Sequence, residues 1–195
     1  MAENKIKYGL KNVYYATVSS VSSAGAVTYN TPVAFPGAVS LSMEPQGEIS
    51  PFFADNIKYW VSNANNGYEG DLEMARVIDK FRENVLGYIK SGNNLLVEDA
   101  NANPVHFALM FQFEGDVKAT RHVIYDCTAS RPAASGSTKN ESIEPQTESV
   151  TISAGSIYVA ALQTDVVKSQ TIDSTATSVY DNWFSAVTIP TATSN

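Results

Sequence analysis

The run VHFALMFQF, residues 105–113, constrains this chain more than any other stretch. Successive side chains of an extended backbone point to opposite faces, so Val105, Phe107, Leu109, Phe111 and Phe113 form one fully apolar face. Gly115 and Asp116 come next as a turn, and VKATRHVIYDC returns as a partner strand. This is a β-hairpin with a face that must be covered.

Period-two patterning extends to both sides of it. In VYYATV, Val13, Tyr15 and Thr17 alternate with Tyr14, Ala16 and Val18, and β-branched and aromatic residues fill both faces. The pattern predicts a strand buried on two sides or lying in an interface. Ser19 to Gly25 reads as a turn and Ala26 to Asn30 as a return strand, while Pro32 and Pro36 confine the residues around them to edges or turns. From Ala38 to Glu44, Val39, Leu41 and Met43 oppose Ser40, Ser42 and Glu44, which predicts one dry face and one wet one. Residues 44–56, with Pro45, Gly47, Pro51, Phe52 and Phe53, read as a long loop whose aromatics either fold back or dock elsewhere. Ile57 to about Val77 reads as extended, broken by the turn-prone NANNG.

One central helix is predicted from about Asp79, taken as its N-cap, with Phe81, Val85 and Tyr88 or Ile89 on the buried side and Gly87 or Gly92 at its end. Residues 131–148 are rich in Ser, Thr, Glu and Pro and lack aromatics, which fits a solvated loop or an arm ordered by a neighbour. Strands resume at SVTIS and SIYVAAL. Residues 178–181, SVYD, have capping-box form and predict a short terminal helix with Val179, Trp183 and Val187 on one face. The expected fold is mainly β, a sandwich or partly open barrel, in one domain over residues 1–195 with one central helix and a short C-terminal one.

Composition narrows the function. Charged residues are 17% of the chain, below the roughly 25% usual in soluble domains, and 20 acidic against 13 basic side chains leave a net charge of -7. A surplus of carboxylates argues against a protein whose task is gripping phosphates. The N-terminal residues lack the apolar run of a signal peptide, and no window approaches the roughly 18 apolar residues of a membrane span. Cys127 is the one cysteine, expected as a structural thiol without a paired base.

Glu69, Asp71 and Glu73 form the charge feature that stands out. At period two they share a strand face and repel one another, so they need water, a cation or a cationic partner. An ordinary solvated face, an acidic channel wall and calcium binding are the readings, the last lacking the encircling loop oxygens such sites use. Lys118, Arg121 and His122 lie on alternate faces, which suits salt bridges or subunit contacts better than a nucleic-acid patch. His106 reads as a partly buried or interface histidine, and Trp60 and Trp183 as core or interface aromatics. No catalytic constellation, cofactor loop or metal-ligand spacing is present, so neither cofactor nor metal is expected.

The segments GYEGDLEMARVIDKFRENVLG (67–87), FALMFQFEGD (107–116) and RHVIYDCTASRP (121–132) together resemble the major tail protein family of long-tailed, siphovirus-type phages. The resemblance runs from about Tyr8 to about Gly155, with a looser echo in YDNWFSAV near the C-terminus. It implies a tail-tube-like fold, self-assembly into stacked, six-fold rings, and a conduit through which double-stranded DNA passes without specific binding. Tape measure, tail terminator and tail tip proteins are the implied partners, and the virion tail, assembled in the bacterial cytoplasm, the implied location. It also implies that residues 44–56, with Phe52, Phe53 and Asp55, reach a neighbouring subunit, as residues 131–148 could, and that Glu69, Asp71 and Glu73 face the lumen. The competing reading is a capsid decoration or adhesin-like β-sandwich that binds host surface glycans.

Overall fold

The computed structural model describes residues 4–138 and 145–192. Its strands are β1 (Lys7–Val21), β2 (Val27–Tyr29), β3 (Val33–Ala34), β4 (Ala38–Pro45), β5 (Ile49–Ala54), β6 (Ile57–Asn63) and β7 (Tyr68–Met74), leading into helix α1 (Asp79–Asn84). Then come β8 (Ile89–Lys90), β9 (Leu96–Val97), β10 (Phe107–Gly115), β11 (Thr120–Ala129), β12 (Glu148–Gly155), β13 (Ile157–Val159), β14 (Thr164–Val166), β15 (Lys168–Gln170) and helix α2 (Thr177–Asp181). The fold is mainly β, as the alternation predicts.

One sheet organises the molecule in the order β2-β1-β10-β11-β12-β7-β4, with β3 added on β1 and β15 on β11. Its pairings are antiparallel, and the predicted hairpin is its centre, with Phe111 opposite His122 and Phe113 opposite Thr120. The sheet curls without closing. Its inner face and α1 enclose the larger core, where Tyr15, Phe35, Phe81 and Phe107 interlock. Phe35 and Phe81 stack with ring centroids 4.5 Å apart, and Tyr15 meets Phe81 edge-on at 5.1 Å, the geometries that aromatic quadrupoles favour.

A second core lies on the outer face. Ala108, Met110, Val123 and Tyr125 are buried there beneath Ile157, Val159 and Trp183. The Tyr125 hydroxyl donates to the Thr188 carbonyl at 2.9 Å, tying the C-terminal segment down. The central strands are therefore dry on both faces, as VYYATV foretells for β1.

Local expectations fail where tertiary geometry intervenes. Residues 44–56 are largely strand rather than loop: β4 runs to Pro45 and β5 and β6 form a hairpin. Val39 is 52% exposed because a bulge between Ala38 and Ser40 turns Ala38, not Val39, toward the core. Asp79 is the first helical residue and not the N-cap. Ile78 takes that place without a side-chain bond, and the Asp79 carboxylate instead meets Arg76 at 3.4 Å. The helix stops at Asn84, ahead of Gly87 at φ +74, so Tyr88 and Ile89 lie beyond it. Ser178 lies inside α2, whose cap is Ala176, so the capping box does not form. Trp183 and Val187 do pack on the outer core, but beyond the helix, and Val179 stays 37% exposed. Residues 131–138 are irregular, while 139–144 of the polar segment fall outside the described residues.

Candidate functional site: a bare acidic sheet face and a projecting hairpin

Strands β4, β7 and β12 lie side by side in register. On their inner side Leu41, Met43, Leu72, Met74, Val150 and Ile152 meet the core. The outer side therefore receives Ser40, Ser42 and Glu44 from β4, Glu69, Asp71 and Glu73 from β7, and Ser149, Thr151 and Ser153 from β12. Gly70 admits this close alignment, because a Cβ there would lie against the Ser42 carbonyl. The three strands contain no lysine or arginine.

Hydroxyls hold the carboxylates in place. Ser40 Oγ and Thr147 Oγ1 donate to the two oxygens of Glu73 at 2.9 and 2.6 Å, and Thr151 Oγ1 donates to Asp71 Oδ1 at 2.8 Å. The bonds from Thr147 and Ser40 favour the charged form and hold the Glu73 carboxyl below the usual range. The three residues foreseen from sequence thus share one outward face, as a wet row that accepts hydrogen bonds and offers no donor to a phosphate. Among the described residues no group of three or more His, Cys, Asp or Glu side chains converges as a metal requires.

The hairpin β5–β6 leaves this sheet at Pro45 and returns at Tyr68, pairing only with itself. Phe52 and Phe53 are 58% and 61% exposed, and Tyr59 and Trp60 on the return strand are 70% and 59% exposed. Asp55 forms the turn with Asn56, both at positive φ (51° and 59°), the signature of a type I′ hairpin. A two-stranded hairpin is marginal in water by itself, and one bearing these rings has a reason to seek cover. Trp60 is thus outside the core, whereas Trp183 is 3% exposed within it.

Other singled-out residues have internal roles. The Arg121 guanidinium lies 3.8 Å from the Tyr180 ring centre and donates to the Tyr180 carbonyl, and its Nε donates to Gln112 Oε1 at 3.2 Å. Lys118 Nζ covers the same ring at 3.9 Å. These cations clamp α2 by cation–π contact, and among the described residues they do not form the expected salt bridges. His106 is over half exposed, not partly buried, with Nδ1 2.6 Å from Asp126 Oδ1. Cys127 is fully buried in the inner core, and that burial pushes its thiol up. His122 Nε2 is buried without a hydrogen-bond partner among the described residues, and its imidazole is lowered to about 4 by burial and by Lys7 and Lys168. No local pattern marked those two lysines, since only the curl of the sheet brings β1 and β15 together.

The mainly β scaffold thus presents a polar, acidic sheet face and an exposed apolar hairpin, with its one cysteine buried. The phage tail tube protein model matches residues 2–181, and the chain belongs to that family of virion tail components. A solved chain from the six-fold-symmetrised cryo-EM structure of the anti-feeding prophage baseplate is similar at 8% identity and a TM-score of 0.43, covering 88% of this chain and 97% of that one. No curated protein matches the chain.

Proposed function

We propose that this protein is the major tail tube subunit, closing into rings, six-fold in symmetry, that stack into the conduit for DNA ejection. The observation that carries the reading is the bare face of β4, β7 and β12, with Glu44, Glu69, Asp71 and Glu73 in one field of hydroxyls and no basic residue. A conduit must not bind what it conducts, and each Lys or Arg on phosphate adds affinity through counterion release. That face lines the lumen, and six chains bring six copies of its carboxylates to the wall.

Assembly of this kind needs a side-to-side contact whose rotation closes and an end-to-end contact that repeats. Strand β4 ends the sheet, and an unpaired edge invites another chain's strand. The hairpin with Phe52, Phe53 and Asp55 is the arm to a neighbouring subunit. Tape measure, terminator and tip proteins are the expected partners, and assembly takes place in the host cytoplasm. Electron microscopy of the purified chain tests the reading. Rings or hollow tubes are expected, and monodisperse single molecules at every concentration would exclude it.

A further inference from the structure

The curled sheet is open at the end where β1 begins and β10 ends. This mouth encloses about 630 Å³, within the roughly 300–1,000 Å³ of typical binding pockets. Its floor is aromatic: His122 lies flat on Phe111 at 5.1 Å and edge-on to Phe113 at 5.4 Å. Leu41 and Met43 line one wall. Two ammonium groups stand over it, Lys7 Nζ 4.4 Å from the Phe113 ring centre and Lys168 Nζ 4.4 Å from that of Tyr68. Among the described residues neither lysine forms an ion pair, and Glu114, which also lines the mouth, is taken by Lys11 at 2.5 Å. The His122 imidazole in the floor is kept neutral first by burial and then by the same two lysines. A cup lined in part by Leu41, Met43 and Phe113, beneath two lysines that form no ion pair among the described residues, suits an apolar side chain carried next to a carboxylate.

The chain itself holds such a group. At the hairpin turn Asp55 sits between Phe53 and Ile57, each 61% exposed. The arm springs from Pro45 and returns at Tyr68, and Met43 and Tyr68 line the mouth, so arm root and mouth share one end of the molecule. Six residues of strand give a reach of about 20 Å. A copy standing alongside with that end facing the same way would offer its mouth to such an arm.

We propose that the Asp55 turn docks in the mouth of the adjacent copy, Phe53 and Ile57 entering the cup and the carboxylate lying between Lys7 and Lys168. The docking rests on the tube reading. The two surfaces are different patches of one chain, so the contact is heterologous and generates a ring when its rotation closes.

Asp55→Asn tests it cleanly, because asparagine tolerates positive φ and keeps the turn. The variant should raise the concentration needed for assembly about tenfold, as loss of one interfacial charge partner does, with the monomer melting as wild type. Lys7→Gln with Lys168→Gln should do the same, and the triple variant should be no worse than either. Carbodiimide treatment of wild-type assemblies should join Asp55 to Lys7 or Lys168 across subunits. Unchanged assembly of Asp55→Asn, additive losses in the triple variant, or Asp55 joined to other amines alone would overturn the docking while leaving the tube intact. A wild-type chain that never assembles would overturn both.

Discussion

Glu69, Asp71 and Glu73 were legible in the sequence because period two on a strand is a rule about direction, and three carboxylates at that spacing can only share a side. What they face was not legible, since Ser40, Thr147 and Thr151 arrive from distant segments of the chain. Replacing all three acids with lysine should leave the fold and tube formation in place, because the row lies on the wet face. DNA ejection should slow by about tenfold or more at low salt and recover as salt screens the phosphate contacts. Ejection kinetics at two ionic strengths measure this, and identical rates at low salt would take the row off the lumen wall. His122 makes the opposite case, since nothing local marks it as buried beneath Lys7 and Lys168. Its folded value of about 4 lies below the ordinary 6.5, so between those values the unfolded chain binds more protons. His122 therefore supports stability fully above pH 6.5 and loses that support as pH falls toward 4. Thermal melts of wild type and His122→Phe should diverge across that window and run parallel above it. Parallel curves throughout would show that the imidazole titrates alike in both states.

At the scale of elements, the hairpin of β10 and β11 came from alternation alone, although Gly115, expected in the turn, is the last residue of β10 and the chain turns between it and Thr120. The arm did not. Pro45, Gly47 and Pro51 are breaker residues in isolation, yet Pro45 can end an edge strand and Pro51 can sit in a two-stranded ribbon whose outer edges are open. Because β5 and β6 pair only with each other, exchanging residues 47–66 for a short Gly-Ser turn should change the melting temperature of the monomer by no more than about 3 °C, roughly 1 kcal/mol for a chain of this length. The same exchange should abolish tubes seen by electron microscopy. Tubes of normal length from that variant would deny the arm any part in assembly. The helix shows the reverse pattern: Phe81 was placed correctly on its buried side by spacing, and Val85 is buried too but as the C-cap, while the start was missed because Asp79 finds Arg76 rather than capping the first turn.

For the whole molecule, the second core is the feature that sequence reading showed only in part, in the two-sided patterning of β1 and the shared face of Trp183 and Val187. Ala108, Met110 and Val123 occupy the side of the hairpin that alternation treats as secondary, and it is the C-terminal segment, through Trp183 and Val187, that makes that side dry. A chain ending at Thr175 should therefore expose Met110, Val123 and Tyr125. It should bind a hydrophobic dye and melt at least about 10 °C lower than the full chain, since losing a buried tryptophan alone costs roughly 3–5 kcal/mol. A truncated chain with an unchanged melt would show that the inner core suffices. The sequence by itself determined the central strands and the acidic row, because side-chain direction and residue chemistry are local properties. Only the tertiary structure decided that the sheet would be covered on half of its outer face and bare on the other, with a charged mouth at one end. Those outcomes depend on which distant segments come to lie together, and no local periodicity encodes that.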